Sequence, residues 1–254
     1  MIRIERHTPP ATNGSRSFAE IVIDRPDKRN ALTEAMLAEM LAALRTLADE
    51  PEHGALVLRG EGRFFCAGFD MQACLEQPER LGGMLTELSK VVRALRRFST
   101  PVVVAVQGGA VAGGCALVCG ADLVVADPSA KFGYPVVKLG VSPAVSAPAL
   151  LLALPEGAAR SLLLDPELIT GEEARRRGLV GLLVNSPEDA VPRAQVEAMR
   201  LSAKPRDAVR RTKAWLNEVE GSTDDGAMAE ALAASMALVG SEEQVRLVAA
   251  AFGA

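Results

Sequence analysis

A short apolar strand, a glycine-rich turn and a helix follow one another twice in the first half of this chain, and that recurrence restricts its fold more than any other feature. Ala55 to Arg59 reads as a buried strand that enters Gly60 to Gly68 and then a helical stretch ending near Phe98. Pro101 to Val106 is a β-branched strand that enters the small-residue loop Gly108 to Gly114 and a helix through Cys119, with a further strand at Leu123 to Ala126. Helices that separate strands require crossover connections, so the alternation predicts an α/β core. Ahead of it, Ile2 to Glu5 and Phe18 to Ile23 read as strands, and a helix is expected from Thr33 to Ala48. Its Met36, Leu37, Met40, Leu41, Leu44 and Leu47 share one face at helical spacing.

From Pro155 onward the pattern is almost wholly helical. Thr170 with Glu173, and Ser241 with Gln244, have capping-box spacing, and Ser186-Pro187 is a further start signal. Helices are expected near Pro187–Ser202, Pro205–Glu218, Gly226–Leu238 and Glu242–Ala251. The stretch from Ala227 to Val239 is rich in Ala, Leu and Met, which predicts burial against its own domain or another subunit. With 254 residues, 49% of them hydrophobic, the chain can build one large core with a helical appendage.

A net charge of -4 excludes the basic footprint of a nucleic-acid binder. No apolar run approaches the roughly 20 residues a membrane helix needs, and Met1 to Arg6 alternates apolar and charged residues unlike a signal peptide, so a cytoplasmic location is expected. Cys66, Cys74, Cys115 and Cys119 lack zinc-site spacing and read as free buried thiols. The two histidines, His7 and His53, stand far from any motif, which leaves little material for a Ser-His-Asp or metal mechanism.

The glycine turns remain as the chemical candidates. Amides at a helix start are unpaired, and small residues let a ligand approach them. Gly108 to Gly114 is followed by Cys115-Ala116 instead of the Lys-Ser/Thr of a phosphate loop, and its glycines do not fit the dinucleotide spacing. An oxyanion hole and simple tight helix–strand packing both stay open for this loop alone. The second turn, Gly60 to Asp70, shifts the balance, because two such turns on neighbouring strands can each aim one amide at a shared oxygen, as thioester enolate chemistry requires.

Three segments give the chain a family resemblance: Ile23-Asp-Arg-Pro-Asp-Lys-Arg-Asn-Ala-Leu32, Phe65-Cys-Ala-Gly-Phe-Asp70, and Gly108 through Asp122. Lys131-Phe-Gly-Tyr-Pro135, Leu139-Gly140 and Ile169 through Val180 follow in order and spacing. Together they resemble the crotonase, or enoyl-CoA hydratase/isomerase, family from about residue 2 to residue 250. The resemblance implies a spiral of ββα turns forming two sheets (residues 1–190), followed by a C-terminal helical trimerisation region (191–254). It implies an acyl-CoA substrate, no cofactor beyond the coenzyme A that the substrate carries, no metal, and a homotrimer or homohexamer. By position, the amides of Phe69 and Gly113 would form the oxyanion hole, Arg29 would meet coenzyme A phosphates, and Ala31, Ala67, Asp70 and Met71 would line the adenine and pantetheine path. Asp70 reads equally as a helix cap.

The sequence departs from the family at its acid/base positions. The two carboxylates that hydration uses fall on Ala116 and Val136, and a third position that some relatives use falls on Ala144. None of these side chains transfers a proton. Tyr134, Ser142, Ser146, Cys115, Glu76 and Glu87 are the nearby polar groups, each with a structural alternative. The chain also stops at Ala254 without the basic, aromatic tail that family members often use to bind coenzyme A across subunits. A decarboxylase or hydrolase, or a non-catalytic acyl-CoA-binding relative, therefore stands beside hydratase and isomerase.

Overall fold

The computed structural model describes residues 1–8 and 17–252. Strand β1 (Ile2–His7) lies antiparallel to β2 (Ser17–Ile23), and helix α1 (Glu34–Ala48) leads to β3 (His53–Gly60), parallel to β2. Helices α2 (Gln72–Glu76) and α3 (Arg80–Arg96) precede β4 (Val102–Val106), β5 (Gly109–Val111), α4 (Gly113–Val118), β6 (Leu123–Ala126) and β7 (Lys131–Gly133). The chain continues through α5 (Ala147–Ala153), α6 (Glu156–Leu164), β8 (Ile169–Thr170), α7 (Gly171–Arg177) and β9 (Leu182–Leu183). Helices α8 (Ala190–Ser202), α9 (Arg206–Val219), α10 (Asp225–Met236) and α11 (Glu242–Phe252) complete it.

Two sheets result. The larger has the order β1-β2-β3-β4-β6-β9, parallel from β2 onward; the smaller has the order β5-β7-β8. Every residue of β2 and of β4 is buried, as expected of strands covered on both faces. The period of two then divides the apolar side chains. Leu56, Leu58, Val102 and Val104 join α1 and α3 in the main core, whereas Ala55, Val57, Val103 and Ala105 pack with Ala194 and Ala198 of α8 in a second cluster. Helix α8 thus covers the back of the large sheet. Glu20 in β2 is fully buried, and Arg59 of β3 and Gln195 of α8 both donate to its carboxylate, which ties the three elements together.

Helix α1 starts as its sequence indicates: the Thr33 side chain accepts from the Met36 amide, and Met36, Leu37, Met40, Leu44 and Leu47 are buried while Leu41 is half-buried. Two sequence expectations need correction. Gly108 to Gly114 is not one loop, because Gly109–Val111 forms β5, parallel to β7. Its small residues carry no β signature, and only the partner strand makes it one. The region after Pro155 also contributes β8 and β9, each two residues long, too short for any periodicity to show.

The C-terminal helices depart further from a simple inside-out pattern. Helix α9 buries Lys213 and Asn217 and exposes Trp215 (61%), Leu216 (55%) and Val219 (67%). Burial lowers the Lys213 pKa from its ordinary value, and its ammonium is held by Asp122 and by the Thr100 carbonyl. Helix α10 buries only Met228 and Ser235, so the Ala/Leu/Met stretch expected to be covered is largely open on the single chain. Among the described residues no helix is long and apolar enough to cross a membrane.

Candidate active site

The segment from Phe65 to Asp70 behaves as a partial strand between two neighbours. Cys66 pairs with Ala110 of β5: its amide donates to the Gly109 carbonyl at 3.2 Å, and Val111 donates back to the Cys66 carbonyl at 2.9 Å. On the other side Leu32 pairs with Phe69, through Leu32 N–H to the Gly68 carbonyl (2.7 Å) and Asp70 N–H to the Leu32 carbonyl (2.8 Å). In that parallel bridge Leu32 uses the peptide groups flanking Phe69, so the Phe69 N–H itself is directed away from Leu32. It meets no backbone acceptor among the described residues, because the β5 chain has already turned off at Ala112.

That turn supplies the second donor. Ala112 has φ 53 and ψ -114, a left-handed conformation that ends β5 and opens α4 with Gly113 as its first residue. The Gly113 N–H has no helical partner by position and no other backbone acceptor among the described residues. The two turns are in close contact. A Cβ on Gly68 would lie 2.9 Å from the Ala112 Cβ and 3.4 Å from the Gly113 nitrogen, and one on Gly113 would lie 3.3 Å from the Phe69 ring. A Cβ on Gly114 would lie 2.5 Å from the Cys66 carbonyl oxygen, so α4 can dock here only without a side chain at that position. Two unpaired amides on abutting turns are the arrangement a developing oxyanion needs. Ala112→Gly should stabilise the protein by about 1 kcal/mol, since relieved strain outweighs the flexibility glycine adds to the unfolded chain. A thermal melt checks this; a lower melting temperature would show that Ala112 is not strained.

These turns border a groove of about 960 Å³. Of the positions singled out by sequence, Arg29, Ala31, Ala67, Phe69, Asp70 and Met71 all line it, and Gly113 lies against Phe69. Sequence reasoning missed Lys28, Phe64, Val111, Lys131, Leu139, Leu168 and the α11 residues Leu247 and Phe252, which share the lining. Lys28, Arg29 and Lys131 are exposed cations with no ion-pair partner among the described residues, whereas Lys138 is paired with Glu167 at 2.7 Å. Asp70 is engaged: Arg25 donates to it at 2.7 Å, and it accepts from the Gln72 amide at the start of α2 at 3.3 Å. Asp70 thus closes a turn just ahead of α2, whose cap position is Met71 and has no side-chain cap.

Val136 lines the groove, Ala116 is fully buried in α4, and Ala144 lines a separate apolar concavity beside α5, α6 and α11. The polar groups weighed as replacements are occupied structurally. Tyr134 is buried, with its hydroxyl against Ser146 and the Cys115 and Cys119 thiols. Burial raises the phenol well above its ordinary pKa and pushes the Cys115 thiol up to about 12, so neither ionises near neutral pH. Burial likewise pushes Cys66 up to about 12. All four cysteines are free and buried, as their spacing suggests. Ser142 caps the turn at Ala144, and Lys90 donates to Glu87 at 2.6 Å. The Glu76 side chain lies outside the described residues.

Two groupings, Glu5/His7/Glu20 and Glu50/Glu52/His53, bring potential metal ligands within 4.8 Å. Arg59 already donates to both Glu5 and Glu20, and Arg6 holds Glu50 through two bonds, so protein cations fill the role an ion would take.

A sequence model of the enoyl-CoA hydratase/isomerase family matches residues 13–244. The chain is 36% identical over 216 residues to the crotonyl-CoA hydratase of Syntrophomonas wolfei, covering 83% of this chain and 82% of that protein. Its structure is similar to an enoyl-CoA hydratase/isomerase from Mycobacterium paratuberculosis (TM-score 0.84, 26% identity, 98% of this chain and 97% of the other). It is also similar to one from Xanthobacter autotrophicus Py2 (TM-score 0.85, 26% identity, 98% and 92%).

Proposed function

Because the chain belongs to the enoyl-CoA hydratase/isomerase family and has the crotonase fold, we propose that it binds an acyl-CoA thioester in the groove and stabilises the thioester enolate with the Phe69 and Gly113 amides. The observation that carries this reading is the pair of unassigned N–H groups on two abutting turns beside the groove. Donors fixed by the fold need no reorganisation as charge moves onto the thioester oxygen, which is the source of their catalytic value. Lys28, Arg29 and Lys131 form a cationic rim for the phosphates of coenzyme A, and Ala31, Ala67 and Met71 line its path. Coenzyme A is part of the substrate, and the reaction as proposed needs no other cofactor.

The lining favours one class of reaction over hydration. Asp70 is the sole carboxylate among the described lining residues, and it is tied to Arg25. Loss of carbon dioxide from a β-carboxyl thioester leaves its electron pair on the α-carbon as the enolate and needs no protein base, and a proton from water then completes the product. Hydration needs a group that activates water, and Ala116 and Val136 cannot. The test is mass spectrometry after incubating the purified protein in heavy water with malonyl-CoA and, separately, with crotonyl-CoA. Decarboxylation with one deuterium at the α-carbon is the expected result. Addition of water to crotonyl-CoA would overturn the preference for decarboxylation. No change in either ester, together with no calorimetric binding of coenzyme A, would overturn the acyl-CoA reading itself.

The exposed apolar face of α9 supports self-association of the region from residue 191 into a trimer or hexamer. Trp215, Leu216 and Val219 are adjacent on a helix whose buried residues are Lys213 and Asn217, and such an exposed apolar face is stable when a second copy covers it. Light scattering should give a mass above that of one chain, and Leu216→Glu with Val219→Glu should reduce it. A wild-type monomer would sink the assignment.

A further inference from the structure

We propose that Phe64 is a stacking platform for the purine end of coenzyme A, an inference that rests on the acyl-CoA reading of the groove. Three observations lead to it. The first is how the ring is seated. Gly108 and Gly109 place bare backbone beneath it: a Cβ on Gly108 would lie 2.9 Å from Phe64 Cδ2, and one on Gly109 would lie 2.7 Å from Phe64 Cζ. Two consecutive glycines thus make room for the ring, and any side chain at either would displace it.

The second is how the backbone is held. The Phe64 carbonyl accepts from Asn30 Nδ2 at 2.6 Å, and the next amide, Phe65 N–H, donates to the Gln107 carbonyl at 2.9 Å. The Phe64–Phe65 peptide group is thus held at both its oxygen and its nitrogen, yet Phe64 is only half-buried and lines the groove. A phenyl ring kept at a polar opening rather than folded into the core, which lies one residue away at Phe65, has the position of a binding surface.

The third is the company it keeps. Arg29 and Lys28 lie on one segment of the lining, and Lys131, paired in register with Gly109, lies on another. None of the three cations has an ion-pair partner among the described residues. An anchored aromatic ring flanked by unpaired cations is complementary to a purine carrying phosphates, since every base has a face to stack and the phosphates meet the charges.

The test measures binding by calorimetry of two probes, coenzyme A and adenosine 3′,5′-bisphosphate, and the KM for the thioester of N-acetylcysteamine, which lacks the nucleotide. Phe64→Ala should weaken both nucleotide probes by about tenfold or more, the range that aromatic stacking supplies, a larger factor than its effect on the KM of the short thioester. Phe64→Leu keeps an apolar side chain on Gly108 and Gly109 without a π face and should show the same loss, which separates stacking from folding. Phe64→Trp should retain binding, with its fluorescence quenched by the bisphosphate. Unchanged affinity of folded Phe64→Ala or Phe64→Leu would overturn the platform while leaving the acyl-CoA reading intact. Failure of the unaltered protein to bind coenzyme A would instead overturn that reading.

Discussion

Replacing Gly113 with proline should lower turnover by about 10²–10³-fold while leaving the protein folded. In the proposed reaction the substitution removes one N–H from the position where thioester charge would develop. Gly113 is the first residue of α4, a site at which proline is well tolerated because its amide makes no helical bond. The ring would meet the edge of the Phe69 side chain, 3.3 Å from the Cβ position, and a small shift of that side chain accommodates it. Gly113→Ala is the matched control. It has the same Cβ and keeps the donor, so the difference between the two variants reports the hydrogen bond and not the added bulk. Initial rates with whichever ester proves to be a substrate, together with circular dichroism, decide the matter. Turnover of a folded proline variant within threefold of the alanine variant would overturn the proposed oxyanion role of Gly113.

Asn30→Ala should be the most destabilising single change near the site, by about 3–5 kcal/mol, although Asn30 touches no ligand in the proposed scheme. Asn30 has no solvent exposure, and its side chain makes three hydrogen bonds: it accepts from the Arg25 amide at 2.8 Å and donates to the carbonyls of Glu61 at 3.0 Å and Phe64 at 2.6 Å. It joins the loop carrying Arg29 to the turn carrying Phe64. It also has φ 56, a left-handed conformation that asparagine adopts more readily than alanine does. Removing the carboxamide leaves two carbonyls and one amide without these partners, and it adds backbone strain. For a chain of this size the melting temperature should fall by roughly 10 °C. A shift within about two degrees would mean that water replaces the side chain at little cost and that the two loops are held by other bonds.

These residues show how far the sequence could be read. Phe69 and Gly113 follow from the family resemblance by position, and the structure sets them side by side. Arg29, Ala31, Ala67 and Met71 likewise share one groove. Asn30 sits within the first quoted family segment, yet nothing local reveals that its amide reaches 31 and 34 residues ahead to Glu61 and Phe64. Lys131 and Phe64 were passed over for the same reason, since each has chemical meaning only beside the other and beside Arg29. The inverted pattern of α9 was also hidden. Its apolar residues signal burial under the helical period, and only the ion pair from Lys213 to Asp122 reveals which face turns inward.

By itself the sequence determined the elements whose information is local. The apolar runs of β2 and β4, the periodic face of α1, the caps at Thr33 and Thr170 and the glycines of both turns each act within a few residues of chain. The identities of Ala116, Val136 and Ala144 are likewise local, and none of these side chains carries a proton in any fold. The tertiary structure decided what depends on partners distant in sequence. It made Gly109–Val111 a strand, turned the Phe69 amide away from Leu32, forced Ala112 into a left-handed turn that opens Gly113, and engaged Asp70 with Arg25. Hydrogen-bond direction and charge pairing are fixed by neighbours in space, and those neighbours exist only once the two sheets have formed.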